Sequence, residues 1–466
     1  MNTKLKQAVL AALTSTALFG YGANAMADTT SDLVNALVEK GVLTEEEAKP
    51  LLISRPYTKD DPALALAKKK VGGKVNIRGY LQVRNTTMLG GDEGINLWSD
   101  RSVGDDRSIG NDKNFLIRRA RVILFGDIGE RLYYYLQPDF ASSAGGTGNI
   151  VQLRDAYGDV YLTKDKVHRV RVGQSKVPYG FENLQSSQNR LALDRNDALN
   201  SAVRDERDLG AFYYYTPLET QALFKEISQL GLKHSGNYGQ FGIGAYNGQG
   251  ANRGDQNDNY HIVARYTHPW KTDSGQIYEA GIQAYRGQYV VASRGDYTVN
   301  GTLRTARADV SQGINGFKDE RVGVSFIMYP QPFGIQAEWN WGTTPGLDIA
   351  SNTIREQSLN GGYVQAMYQI NNFKFFDTNG TLIPFIKWQY FDGASKAETN
   401  APQNHVNDWE IGAEWQIAPE VELVAYYHKM KRTNLVTGAL NPNVEAKSNY
   451  ETFDADALRV QLQYNF

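Results

Sequence analysis

The chain has 466 residues, 49 Lys and Arg against 51 Asp and Glu, a formal net charge of −2 at pH 7, and no cysteine. That balance lacks the basic surface that nucleic-acid binding needs, and the missing thiols exclude a disulfide framework, thiolate metal ligation and a cysteine nucleophile. With 28 Tyr, 18 Phe and 45 Gly but only 14 Pro, the chain is aromatic and glycine-rich yet polar on average. A membrane β-barrel requires that composition, because only alternate residues face lipid.

Residues 1–27 read as a secretory signal, with Lys4 and Lys6 at the start, a small apolar stretch over 8–22, and Ala25-Met26-Ala27 as an A-x-A cleavage site. A membrane anchor is the competing reading, but the stretch is short and interrupted by Thr14, Ser15 and Thr16. Cleavage before Asp28 would take the basic count from 49 to 47 against the same 51 acidic residues. The segment 28–74 is expected to be periplasmic. Within it, Leu33, Val34, Leu37 and Val38 recur at helical spacing, Gly41 stops the turn, and Thr44 with Glu47 forms a capping box before Ala48, Leu51 and Leu52. This predicts a short helical hairpin over 31–53, followed by a linker with Pro56, Pro62 and the solvated run Lys68-Lys69-Lys70.

From Val75 the period changes to two, and 75–466 is expected to be one barrel domain. Ile77, Leu81 and Val83 fall on one side of the first strand, Arg78, Tyr80, Gln82 and Arg84 on the other. The same alternation separates Ala120, Val122 and Leu124 from Arg119 and Arg121, and Val170 and Val172 from Arg169 and Arg171. Alternation alone fits a soluble sandwich or a transmembrane antiparallel β-barrel. Unequal connections favour the barrel: Ala418-Pro419-Glu420 is tight, whereas 89–114 and 290–318 are long and polar. Tyr266, Trp270, Tyr329, Trp339, Trp388 and Tyr390, near strand ends, suit interface girdles, although each singly fits ordinary packing. At the end, Leu458, Val460, Leu462, Tyr464 and Phe466 alternate with Arg459, Gln461, Gln463 and Asn465. A last amphipathic strand closing on Tyr464 and Phe466 resembles the assembly signal read by the barrel-assembly machinery, and with the leader it predicts the outer membrane of a Gram-negative bacterium.

Six pieces resemble the phosphate-selective porins of the O and P type: IRRARVILFGDI (117–128), LRDAYGDVYL (153–162), VRVGQSKVPYGFE (170–182), RDLGAFYY (207–214), GAYNGQG (244–250) and the closing strand. The resemblance implies a homotrimeric porin in outer-membrane lipid, with a barrel of about 16 strands, 18 also fitting the pattern, and part of an external loop folded inward. It also implies small anionic solutes as partners. The constriction loop would fall over 183–208, where Arg190, Arg195, Arg204 and Arg207 are interleaved with Asp194, Asp197, Asp205, Glu206 and Asp208. Arginine presents a fixed fork of donors to an oxyanion and stays charged. The alternative, equally compatible with the sequence, is that these arginines pair with the carboxylates and brace the loop.

The wall arginines follow from parity. Arg78, Arg84, Arg119, Arg121, Arg169 and Arg171 share the polar sides of their strands, and a charge facing lipid at mid-depth costs roughly 2–4 kcal/mol. They are expected to line the pore. Of 26 arginines, 15 lie between Arg78 and Arg207, which fits one positive wall; Glu410, Glu414 and Glu422 populate later strands, and an opposed acidic wall would produce a transverse field rather than simple anion selectivity. Lysines are few in the candidate external loops, Lys113 being alone in the first, a departure from the lysine clusters expected of phosphate-binding members. General diffusion, or passage of short-chain amides, therefore stays open beside anion preference.

Other classes fit less well. The histidines at 168, 234, 261, 268, 405 and 428 form no HExxH or comparable metal spacing, there is no GxSxG elbow for an outer-membrane hydrolase, and GIGAYNGQG departs from GxGxxG. No catalytic site, metal or cofactor is expected. A barrel anchor or adhesin, with the hairpin gripping a partner or its own copies, is the remaining alternative.

Overall fold

The computed structural model describes residues 73–92, 115–142, 150–292, 315–348, 350–351, 353–435 and 450–466, with a few scattered positions elsewhere. The expected signal segment, the linker over 54–72, nearly all of the hairpin and most of 89–114 lie outside the described residues, as do 293–295, 300–301, 306 and 309–314.

Alternating β-branched, aromatic and polar residues make long strands here because each face meets a different medium. Sixteen of them form the barrel: β1 (Asn76–Gly91), β2 (Phe115–Ile128), β3 (Leu132–Ser142), β4 (Ile150–Tyr161), β5 (His168–Lys176), β6 (Arg207–Tyr215), β7 (Phe241–Tyr246), β8 (His261–Lys271), β9 (Ile277–Tyr289), β10 (Phe317–Met328), β11 (Phe333–Asp348), β12 (Thr353–Tyr368), β13 (Thr378–Ala394), β14 (Gln403–Ala418), β15 (Val421–Leu435) and β16 (Tyr450–Asn465). Neighbours in the chain pair antiparallel, and β1 pairs with both β2 and β16: Tyr80 lies opposite Arg121 on one side and Asn465 on the other. The sheet therefore closes and leaves no open edge. Of the two strand counts the pattern allowed, 16 is the one found. A further ladder piece, Ile370–Phe375, continues beyond the end of β12 along β13, and the two-residue bridge Arg307–Ala308 pairs in parallel with Thr353–Ile354 at the start of β12; neither adds a stave.

Burial is inverted relative to a soluble protein. On β5, Val172 is 55% exposed on the outside, while Arg169 and Arg171 are buried within. On β1, Leu81 and Val83 face out and Tyr80, Gln82 and Arg84 face in. Outward Ile117, Ile243, Ile262, Ile282, Val322, Val364, Ile386 and Ile411 continue the apolar surface from strand to strand. The alternation predicted from the sequence is the alternation found.

The rims differ. At one, 129–131, 162–167, 272–276 and 419–420 turn tightly, and the chain ends there at Phe466. At the other, 177–206 and 247–260 are long. The segment 177–206 folds into the barrel and carries two single-turn helices, α1 (Phe181–Leu184) and α2 (Asp197–Asn200). Its Val177, Tyr179, Ala198, Leu199, Ala202 and Val203 pack with wall aromatics Phe212, Tyr214, Tyr285, Tyr363 and Phe391, so the principal apolar core lies inside the barrel. One connection at the tight-turn rim is long: 216–240, containing α3 (Leu218–Gln229).

The inverted packing gives a direct check. Val172→Arg, at the centre of β5 on the outer face, is expected to cost about 2–4 kcal/mol in reversible urea unfolding from lipid vesicles. An effect near zero would mean that this face does not meet hydrocarbon.

Candidate permeation pathway

The positive wall is built by parity on β1, β2, β4, β5 and β16. Arg84, Arg119, Arg121, Arg154, Arg169, Arg171 and Arg459 all point inward and are buried. A buried guanidinium needs a partner, and each has one. Arg121 pairs with Asp139 at 2.7 Å, Arg171 with Asp159 at 2.7 Å, and Arg119 donates to the side-chain oxygen of Gln82 at 2.9 Å. Arg171 also lies over the Tyr157 ring, 3.8 Å from its centroid.

Other wall arginines hold the inward loop. Arg84 and Arg459 flank Asp194 at 3.1 and 2.6 Å, and Arg154 reaches Asp205 at 3.1 Å. Tyr80 shares a hydrogen bond with Ser187 at 2.6 Å, and Gln82 donates to the Ser187 carbonyl at 3.1 Å. From the far side, Glu338 on β11 accepts the backbone N–H groups of Phe181 at 2.5 Å and Glu182 at 2.7 Å. Lys387 on β13 pairs with Glu182 at 2.6 Å, and Arg432 on β15 with Asp197 at 2.9 Å. Arg321 on β10 donates to the Ala198 carbonyl at 2.8 Å. The loop is thus tied to walls around the whole ring and crosses the lumen.

The acidic residues of the later strands do not form an opposed wall: β14 and β15 stand beside β16, which carries Arg459, and so border the arginines. Glu410 and Glu414 on β14 are buried and inward, and Glu422 lies at the tight-turn rim beside a cavity of about 500 Å³ that Asn189, Gly231 and Lys233 also border. A second cavity of about 570 Å³ lies against the arginine wall, bordered by Arg78, Lys176, Arg171 and Arg207 with Asp155 as the only carboxylate. Lys176 donates to the carbonyls of Leu184 at 2.9 Å and Gln185 at 2.6 Å, tying the end of β5 to the loop. On the other side of the loop a small recess of about 50 Å³ holds Asp197, Arg204, Lys396 and Glu398.

A model of the phosphate-selective porin O and P family matches residues 94–466. The chain belongs to that family. It is a Gram-negative outer-membrane porin, a channel rather than an enzyme. Among solved structures, the outer-membrane channel DcaP of Acinetobacter baumannii aligns over 86% of this chain and 99% of its own, at 14% identity and a TM-score of 0.49. An anion-selective porin from Comamonas acidovorans aligns over 85% and 100%, at 12% identity and 0.44. OmpT of Vibrio cholerae in its trimer form aligns over 85% and 100%, at 12% and 0.45. No curated protein matches.

The porin's predicted site residues separate into three groups. Arg84, Arg119, Arg121, Arg169 and Arg171 lie on the inner wall, and Arg78 stands exposed at its tight-turn end, over the Phe125 ring at 5.6 Å. In the loop, Arg195 pairs with Glu206 at 2.5 Å, and Arg207, which is the first residue of β6, pairs with Asp155 at 2.9 Å and Glu206 at 2.8 Å. These two brace the loop. Arg204 donates to the Ala397 carbonyl at 3.0 Å from a half-buried position. Arg190 is buried, donates once, to the Leu193 carbonyl at 3.1 Å, and leaves Nε and Nη1 unbonded. Tyr464 and Phe466 are exposed on the outer surface of the closing strand. Sequence reasoning missed Arg154, Arg459 and Lys387, which strand parity would have found, and the whole of 216–240.

Two checks follow from this geometry. Burial pushes the Asp197 carboxyl up to about 6 against the pull of Arg432, and burial brings the Lys396 ammonium down to about 8 against Asp319. Raising the pH through the first adds a negative charge to the recess and through the second removes a positive one, so both steps lower anion preference. The chloride-to-potassium permeability ratio is expected to fall steadily from about pH 5 to about pH 9; a rise would contradict the assignment. Glu338→Ala leaves two loop N–H groups without their acceptor, at about 1–3 kcal/mol each. The expected result is a folded barrel with noisier and larger single-channel currents.

Proposed function

We propose that this porin passes small hydrophilic solutes by passive diffusion, prefers small anions such as phosphate, and works as a homotrimer in outer-membrane lipid. The observation that carries the anion preference is the buried arginine wall facing the inward loop, with Arg78 adding a cation that no carboxylate of the described residues neutralises by ion pairing. Arginine and lysine along a pore lower the entry barrier for anions. Arg84, Arg119, Arg121, Arg169 and Arg171 act as wall, and Arg190 and Arg204 as loop donors nearest to a passing anion. Arg195 and Arg207 hold the loop's shape. Maturation at Asp28 and recognition of Tyr464 and Phe466 by the barrel-assembly machinery complete the route to the membrane.

A second reading has its own support. Most wall arginines are already paired with carboxylates, and Glu410 and Glu414 stand near that wall on β14, so the summed charge along the path is modest. That arrangement suits general diffusion of polar solutes, short amides included.

Single-channel recording under a potassium chloride gradient separates the two. The reversal potential is expected on the chloride side, and Arg190→Gln with Arg204→Gln is expected to lower the chloride-to-potassium ratio by about twofold or more. Phosphate titrated into symmetric chloride is expected to reduce the chloride current. A reversal potential near zero that ignores both substitutions would leave the general-diffusion reading.

A further inference from the structure

The connection 216–240 is long at a rim whose other turns are tight, and it does not stay at the rim. Its helix α3 has Phe224 and Ile227 on one side, and these pack with Leu232 against Ile277, Ile327 and Tyr329 of the wall and against Phe181 of the inward loop. Beyond α3 the chain enters the lumen. Lys233 is buried, and its ammonium pairs with Glu414 on β14 at 2.5 Å. The segment leaves β6 and returns to β7, and in a ring of 16 strands β14 is on the opposite side. The return half is held by Arg169, which donates to the Asn237 carbonyl, and by Arg171, which lies 5.4 Å from the Tyr238 ring centroid. The inward loop touches the segment from the other side, where Gln185 donates to the Lys233 carbonyl at 2.9 Å.

Both larger cavities border this segment. Asn189 of the inward loop and Gly231 of the segment are common to the two, and the remaining borders lie on different walls. Gly231 has φ +67°, and a Cβ placed there would meet nothing within 4 Å, so it faces open space. Ser228, on the exposed side of α3, borders the cavity on the arginine side.

We propose that residues 216–240 form a second constriction, a strut across the tight-turn half of the barrel clamped by Lys233 and Glu414, and that solutes leave the arginine-lined chamber through the neck between Asn189 and Gly231. The proposal rests on the porin reading and adds to it the residues that set the rate and size limit of passage. The inward loop supplies the first filter, the strut the second, and the chamber between them is bordered by the guanidinium groups of Arg78, Arg171 and Arg207. A salt bridge spanning the lumen fixes the strut because removing either partner leaves the other charge buried alone.

The chain contains no cysteine, so single thiols report cleanly. The experiment uses Ser228→Cys in the full-length porin, treated with a negatively charged methanethiosulfonate, with Asp273→Cys at the nearby 272–276 turn as control and labelling verified by mass. The expected result is a labelled Ser228→Cys channel whose current falls by at least half, while the labelled control keeps its current. In parallel, Lys233→Ala with Glu414→Ala is expected to raise unlabelled conductance about twofold. A labelled Ser228→Cys channel with unchanged current, or a thiol that the reagent does not reach in the open channel, overturns the proposal even if the double substitution fails to fold. Wild-type ion selectivity is read separately, so a failure of the anion reading stays distinct from a failure of the strut.

Discussion

In hydrocarbon no water pairs a stray backbone N–H or C=O, so a sheet that crosses a membrane must close on itself. Everything else in this porin follows from that closure. With β1 bonded to both β2 and β16, every strand has one face on lipid and one on the interior, and the period-two pattern sends Val172 out and Arg171 in. A barrel of 16 strands is too wide for wall side chains alone to fill. The inward loop and the strut fill it, and the core of the molecule becomes a structure suspended inside its own wall.

Charge is what suspends it. Arg84 and Arg459 grip Asp194, Arg154 grips Asp205, Arg432 grips Asp197, and Lys387 grips Glu182, each pair formed by one residue of the wall and one of the inward loop. Buried ion pairs add little net stability over apolar packing, but breaking one is expensive, so they specify position more than they add strength. The same groups serve permeation. A guanidinium held rigidly by a carboxylate keeps its remaining N–H donors aimed, which suits brief contact with an anion better than tight capture.

Strand parity was legible in the sequence wherever one face is lipid, because lipid tolerates no charge: alternation puts Arg84, Arg121 and Arg171 on the polar side of their strands, and all three are buried. The strand count was not, since a piece such as Ile370–Phe375 reads as a separate strand until its register shows that it prolongs its neighbour. Whether loop arginines brace or bind was equally hidden. Arg195 meets Glu206 11 residues on, but Asp194 meets Arg84 across 110 positions, and no local pattern encodes such a pairing. The strut escaped notice for a similar reason. Leu223, Phe224 and Ile227 give α3 a weak apolar side that becomes meaningful only beside Ile277, Ile327 and Phe181, which come from distant parts of the chain.

The most direct test of an anion path along the arginine wall is anomalous diffraction from crystals of the porin soaked in bromide, with rubidium soaks as the counterpart. Bromide peaks are expected in the chamber beside Arg78 and Arg171 and near Arg190, with rubidium absent from those positions. Rubidium in that chamber, or bromide confined to the outer surface, would contradict the account.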